Sequence, residues 1–221
     1  MGLMSELAGQ RPGPSHLLLL RFVLVNLVAG ALLGAAVVQG WVAQAIAADS
    51  TRLTLVIFAV FVVGLVLCGI RIAETSRALD EVGRVRAGGP PGEVAVRYLA
   101  EIQGRDGESR ALAAANLKLK LHTRIAAVGH LANSLVVLGL LGTVIGFIIS
   151  LSGVKPQIVS DVAAVTPMVT TLVKGMAVAL YTTAVGAIGN LWLMLNYRML
   201  VTGTAQLLHG LVALGERHAR A

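Results

Sequence analysis

Threonine, serine and glycine residues recur at helical spacing in two long apolar stretches, and they are the best candidates for chemistry in this chain. The first stripe consists of Gly139, Thr143, Gly146, Ser150 and Gly153. These residues are separated by four, three, four and three positions, so they share one face of an α-helix. A second stretch repeats the pattern with Thr171, Gly175, Ala179, Thr182 or Thr183, Gly186 and Asn190. Glycines let helix backbones approach closely in lipid, and hydroxyls can contact water or an ion.

The two stripes are predicted to meet at one depth. The midpoint of the apolar span 132–153 falls between Gly142 and Thr143, and that of 167–197 falls at Thr182. If the spans run antiparallel, Thr143 and Thr183 lie together near the bilayer centre. Two interpretations stay open at this point. The stripes could serve only for packing, because threonines in membrane helices often bond to their own backbone, or they could form the wall of an ion path.

Five glycines are predicted to form the packing seam, and three threonines are candidates for lining a pore. The glycines are Gly139, Gly142, Gly146, Gly175 and Gly186, and the threonines are Thr143, Thr182 and Thr183.

Titratable groups are nearly missing from the apolar spans. None of the spans contains Asp or Glu, and Lys174 is the only basic residue deep within one. Lys174 could extend to the membrane surface or line a pore vestibule. If this protein handles ions, the titrating group must therefore come from outside these spans. The histidines and Cys68 show neither metal-ligand spacing nor a nucleophile–histidine–acid pattern, so we expect no enzyme activity, no bound metal and no cofactor.

The composition predicts an all-α integral membrane protein. Of the 221 residues, 56% are hydrophobic and 13% are charged, whereas soluble domains carry about 25% charged residues. Four apolar stretches are long enough to cross a bilayer, which takes about 20 helical residues. They are 22–47, 53–71, 132–153 and 167–197. The first resembles a signal peptide, but it exceeds the usual length of a signal core, so we expect a retained span.

The net charge of +7 is arranged as a topology signal rather than as a nucleic-acid surface. Of the 18 Lys and Arg residues, 15 lie near the N-terminus, in 71–124, or from 198 onward. Lys/Arg-rich loops stay in the cytoplasm, so we expect both termini and the middle segment to be cytoplasmic and the loops 48–52 and 154–166 to be outside. The cationic segments would also attract anionic lipid head groups.

Five segments follow from these patterns. We expect a flexible tail at 1–16, a peripheral transmembrane hairpin at 17–71 and a small helical cytoplasmic segment at 72–131. A pore-lining helix pair at 132–197 and a cytoplasmic C-terminal tail at 198–221 complete the chain. The apolar stripe that leads from Leu117 to Ala132 predicts one continuous helix across the membrane surface.

Two segments resemble the MotA/TolQ/ExbB family of ion-driven motor subunits. They are Leu138–Gly146, which reads Leu-Gly-Leu-Leu-Gly-Thr-Val-Ile-Gly, and Ala179–Gly186, which reads Ala-Leu-Tyr-Thr-Thr-Ala-Val-Gly. The resemblance implies a homopentamer around two copies of a single-span partner, similar to ExbD, TolR or MotB. The partner's aspartate would carry H⁺ or Na⁺ past Thr143 and Thr183. Some members carry a glutamate where this chain has Val178.

The sequence therefore predicts a ring-forming subunit of a rotary motor in a bacterial inner membrane, which converts ion flow into force. Two alternatives remain. The glycine and threonine seam could belong to a structural membrane scaffold, or the threonines could line the path of a small secondary transporter. The latter would be favoured by inverted repeats, and 22–71 and 132–197 show no such repeat.

Overall fold

The computed structural model describes residues 16–90, 92–104, 106–154 and 162–218. All regular secondary structure in these ranges is helical, which confirms the predicted all-α class. The helices are α1 (His16–Val38), α2 (Trp41–Ala48), α3 (Leu53–Arg86), α4 (Glu93–Ile102), α5 (Gly107–Ser152) and α6 (Val162–His218). Helices α1, α3, α5 and α6 are long and apolar enough to cross a membrane, so the chain is a multi-pass membrane protein.

The first apolar stretch is divided into two helices. We predicted one span over 22–47, but α1 ends at Val38 and α2 begins at Trp41. Gly40 lies between them with φ of 79°, a left-handed conformation that ends helices and that glycine adopts at no steric cost. The predicted continuous span was therefore wrong, because one glycine conformation interrupts an otherwise uniform apolar pattern.

A buried aspartate organises the turn between α2 and α3. The Asp49 carboxylate accepts hydrogen bonds from the backbone N–H of Thr51 at 3.0 Å, the Thr51 hydroxyl at 2.6 Å and the backbone N–H of Thr54 at 2.5 Å. Burial by itself raises the pKa of Asp49, but the hydrogen bonds from Thr51 and Thr54 outweigh it, and the pKa lies below its ordinary value. The carboxylate thus caps the start of α3 in its ionised form.

The helices form two compact units. The first comprises the described parts of residues 1–26, 67–127 and 196–221, and the second comprises those of 27–66 and 128–195. The core of the first unit includes Val82, Tyr98 and Ile102 together with Leu207 and Leu211. Leu207 and Leu211 lie in the segment that we predicted to be a tail. Leu200, Thr204, Leu207 and Leu211 are buried at helical spacing, so α6 continues because this stripe packs into a core.

We expect Asp49→Ala to destabilise the protein by about 1 kcal/mol at neutral pH, as is typical for the loss of a helix N-cap. Because the folded-state pKa lies below the unfolded value of about 3.9, the stabilisation is present above that pH. It is lost as the pH falls through the folded pKa. Thermal unfolding in detergent, measured from pH 7 to pH 3, should show the two proteins converging at low pH.

Ser50→Ala serves as the control, because Ser50 is exposed and belongs to the same turn. A constant difference between wild type and Asp49→Ala across the whole pH range would contradict the role of the ionised carboxylate.

Candidate functional site

The backbones of α5 and α6 are in direct contact along the predicted glycine seam. A Cβ atom added at Gly146 would lie 2.5 Å from the carbonyl oxygen of Gly175 and 2.6 Å from the backbone nitrogen of Ala179. A Cβ atom at Gly186 would lie 2.6 Å from the carbonyl oxygen of Leu135. These distances are too short for any side chain, so glycine is required for the observed approach. Gly139, Gly142 and Gly175 also face the partner helix, and all five predicted seam glycines are at this contact.

Two hydroxyls meet where the helices approach. The Oγ1 atoms of Thr143 and Thr183 are 2.5 Å apart, and they lie 3.3 Å and 3.1 Å, respectively, from the carbonyl oxygen of Gly139. Each hydroxyl has one proton. One threonine therefore donates to the other, and the second donates to Gly139. In this arrangement both protons are used inside the protein, so only acceptor lone pairs face outward.

The pair is at the surface of the second unit, with Thr183 exposed and Thr143 half-buried. Exposed apolar side chains flank the pair at helical spacing on both helices, and Leu180, one of them, is 70% exposed. The others include Val136, Leu140 and Phe147 on α5 and Val173 and Met176 on α6. The hydroxyls are thus a small polar spot on an apolar face that must be covered by lipid or by protein.

Thr182 does not share this exposed position. Its side chain is 0% exposed, packs against Gly142 and donates to the carbonyl oxygen of Val178 at 2.8 Å. Successive residues on a helix point about 100° apart, so only one of two adjacent threonines can face outward. The prediction that Thr182 lines a pore is therefore corrected, and Thr182 belongs to the packed seam.

Lys174 is exposed but lies on another side of α6. Nine residues separate it from Thr183, which on a regular helix amounts to about 180° of rotation. The structure therefore gives Lys174 no common face with the hydroxyl pair. Its place in a pore vestibule stays a prediction.

Two further hydrogen bonds connect the helices on either side of the pair. The Ser150 hydroxyl donates to the carbonyl oxygen of Leu172 at 3.0 Å, and the Asn190 amide donates to that of Ala132 at 2.7 Å. Hydrogen bonds between membrane helices contribute about 0.6 to 2 kcal/mol each. Both residues belong to the sequence stripes, but the stripes alone did not indicate that they connect the two helices.

A sequence profile of the MotA/TolQ/ExbB proton channel family matches residues 102–211, about half of the chain. This segment includes the glycine seam and the hydroxyl pair. No curated protein and no solved structure matches the chain.

We expect Gly146→Ala to reduce the free energy of unfolding by about 1 to 3 kcal/mol, the usual cost of forcing extra carbon into a packed contact. Gly34→Ala is the matched control, because a Cβ atom there meets nothing within 4 Å. The control should be neutral or more stable by up to about 1 kcal/mol, since alanine is the better helix former. Equilibrium unfolding in mixed detergent micelles measures the free energy of unfolding of both variants. Equal changes in Gly146→Ala and Gly34→Ala would contradict the close approach of α5 and α6.

Proposed function

Through residues 102–211 this chain belongs to the MotA/TolQ/ExbB proton channel family, and from that membership we propose that it is a ring-forming subunit of an ion-driven rotary motor. Five copies would surround two copies of a single-span partner in a bacterial inner membrane. Ion flow between ring and partner would turn one against the other and transmit force to a target. The distribution of Lys and Arg supports cytoplasmic termini.

The observation that carries this proposal is the exposed hydroxyl pair of Thr143 and Thr183. The pair lies on an apolar face, and the spans of this chain contain no Asp or Glu that could titrate beside it. A face of this kind suits a partner helix that brings its own carboxyl group. Two hydroxyls at the bilayer centre would then provide the polar contacts which that group needs away from water.

The hydroxyl pair can serve both protonation states of such a partner acid. While Thr143 donates to Thr183 and Thr183 donates to Gly139, the outward lone pairs of the two hydroxyls accept the O–H of a protonated aspartic acid. When the acid ionises, rotation of the Thr183 hydroxyl away from Gly139 lets it donate to the carboxylate. In our proposal the chain thus stabilises the acid before and after proton release without itself gaining or losing a proton.

We expect Thr183→Val to lower ion conduction by at least tenfold in the assembled complex with its partner, because the isosteric side chain can neither donate nor accept. Thr182→Val is the matched control, since the Thr182 hydroxyl bonds only within its own helix. Thr183→Ser should retain conduction. Proton or sodium flux into liposomes measures the effect, and equal losses in Thr182→Val and Thr183→Val would remove Thr183 from the path.

The proposed stoichiometry is tested by mass. The purified chain in mild detergent should have the mass of five copies, and co-expression with its partner should add two partner copies. Native mass spectrometry distinguishes these states. A stable monomer or dimer in every detergent that preserves the helical content would contradict the ring.

A further inference from the structure

A groove in the first unit, separate from the hydroxyl pair, runs between the start of α1 and the cytoplasmic half of α3. Its volume is about 350 Å³. The groove is lined by Leu19, Leu20 and Val23 of α1 and by Ala73, Ser76, Arg77 and Asp80 of α3. Along α3 the polar lining residues all follow Ala73, so the groove has an apolar end and a charged end.

The groove passes from an apolar to a charged environment along the axis of α3. The ring of Phe22 packs against Gly69. Both residues lie in apolar segments of their helices, Phe22 in α1 and Gly69 in α3. The Arg71–Glu74 ion pair, at 2.8 Å, marks the first charged turn beyond that level. Arg77 and Asp80 follow about 12 and 16 Å beyond Gly69 at 1.5 Å per residue. This profile matches the change from acyl chains to head groups at a membrane surface.

Both signs of charge are available in the groove. Arg77 is exposed and Asp80 is half-buried. Neither forms an ion pair, with the other or with any other residue that the structure describes. A ligand that complements this end must therefore carry a negative and a positive group, and one that complements the other end must be apolar.

We propose that the groove binds a phospholipid with a phosphoethanolamine head group. Arg77 would bind the phosphate by charge-assisted hydrogen bonds, and Asp80 would accept hydrogen bonds from the primary ammonium. An anionic glycerol head group would leave Asp80 facing the phosphate unpaired. A choline head group has a positive charge but no N–H to donate. One acyl chain would pack against Leu20, which is 58% exposed, and the apolar wall beside it.

The proposal is independent of the motor function, because none of the groove residues belongs to the seam or to the hydroxyl pair. A lipid in this position would contact both α1 and α3 and hold the start of α1 against the rest of the first unit. Its failure would leave the ring proposal unaffected, and failure of the ring would leave the groove intact.

The test is competitive lipid binding to the delipidated full chain in detergent, read by native mass spectrometry. The probes are phosphatidylethanolamine, phosphatidylglycerol and phosphatidylcholine with identical acyl chains, together with free phosphoethanolamine. We expect phosphatidylethanolamine to bind about two- to fivefold better than the other lipids, in keeping with partly exposed ion pairs. Free phosphoethanolamine should bind more weakly, because it lacks the acyl chains. Equal binding of the three lipids would overturn the proposal, and so would equal binding of the free head group.

Variants of the two charged groove residues test whether a preference for phosphatidylethanolamine arises from the groove. Asp80→Asn should remove the preference for phosphatidylethanolamine over phosphatidylglycerol, and Arg77→Gln should weaken both by about two- to fivefold. Glu93→Gln and Arg97→Gln are the matched controls, because both residues are exposed on α4 in the same unit. Thermal unfolding without added lipid verifies that the variants fold. A preference that survives Asp80→Asn would place the binding elsewhere and contradict the proposal.

Discussion

The direct backbone contact between α5 and α6 is the interaction on which the rest of the site depends. Lipid chains are as apolar as leucine, so burial of apolar surface contributes little free energy to the association of these helices. They gain instead from close packing and from hydrogen bonds, and both require the backbones to approach. Gly146 and Gly175 permit that approach. With larger residues at these positions, the hydroxyls of Thr143 and Thr183 would be too far apart to bond.

The polar groups at this contact form hydrogen bonds in two different ways, and this difference defines the site. Thr182, Ser150 and Asn190 direct their donors to backbone carbonyls inside the helix pair, where they stabilise the packing. The hydroxyls of Thr143 and Thr183 use their protons internally but keep their lone pairs outward. A surface that offers only acceptors in an apolar face suits a protonated acid, and the spans themselves have none. This chemistry supports the proposed second polypeptide.

Much of this could be predicted from the sequence, because the periodicity of small residues fixes which side of a helix they share. The seam glycines and the matched depth of Thr143 and Thr183 followed from spacing alone. Spacing could not show which of Thr182 and Thr183 faces outward. That depends on how α6 is rotated about its own axis relative to α5. The break at Gly40 depends on one backbone conformation. The helical C-terminus was missed because the stripe of Leu207 and Leu211 can be recognised as buried only when the core into which it packs is known.

The claim that the hydroxyl pair faces a ring interior is tested most directly by the rate at which a small water-soluble thiol reagent modifies Thr183→Cys in the oligomer of this chain purified without its partner, where no partner helix covers that position. The background would be Cys68→Ala, because Cys68 is the only native cysteine. Ile188→Cys provides the comparison on the same helix, since Ile188 is 64% exposed and apolar. We expect rapid modification of Thr183→Cys and slow modification of Ile188→Cys. Equally slow modification of the two would show that position 183 is shielded from water in the oligomer and would contradict an ion path along the hydroxyl pair.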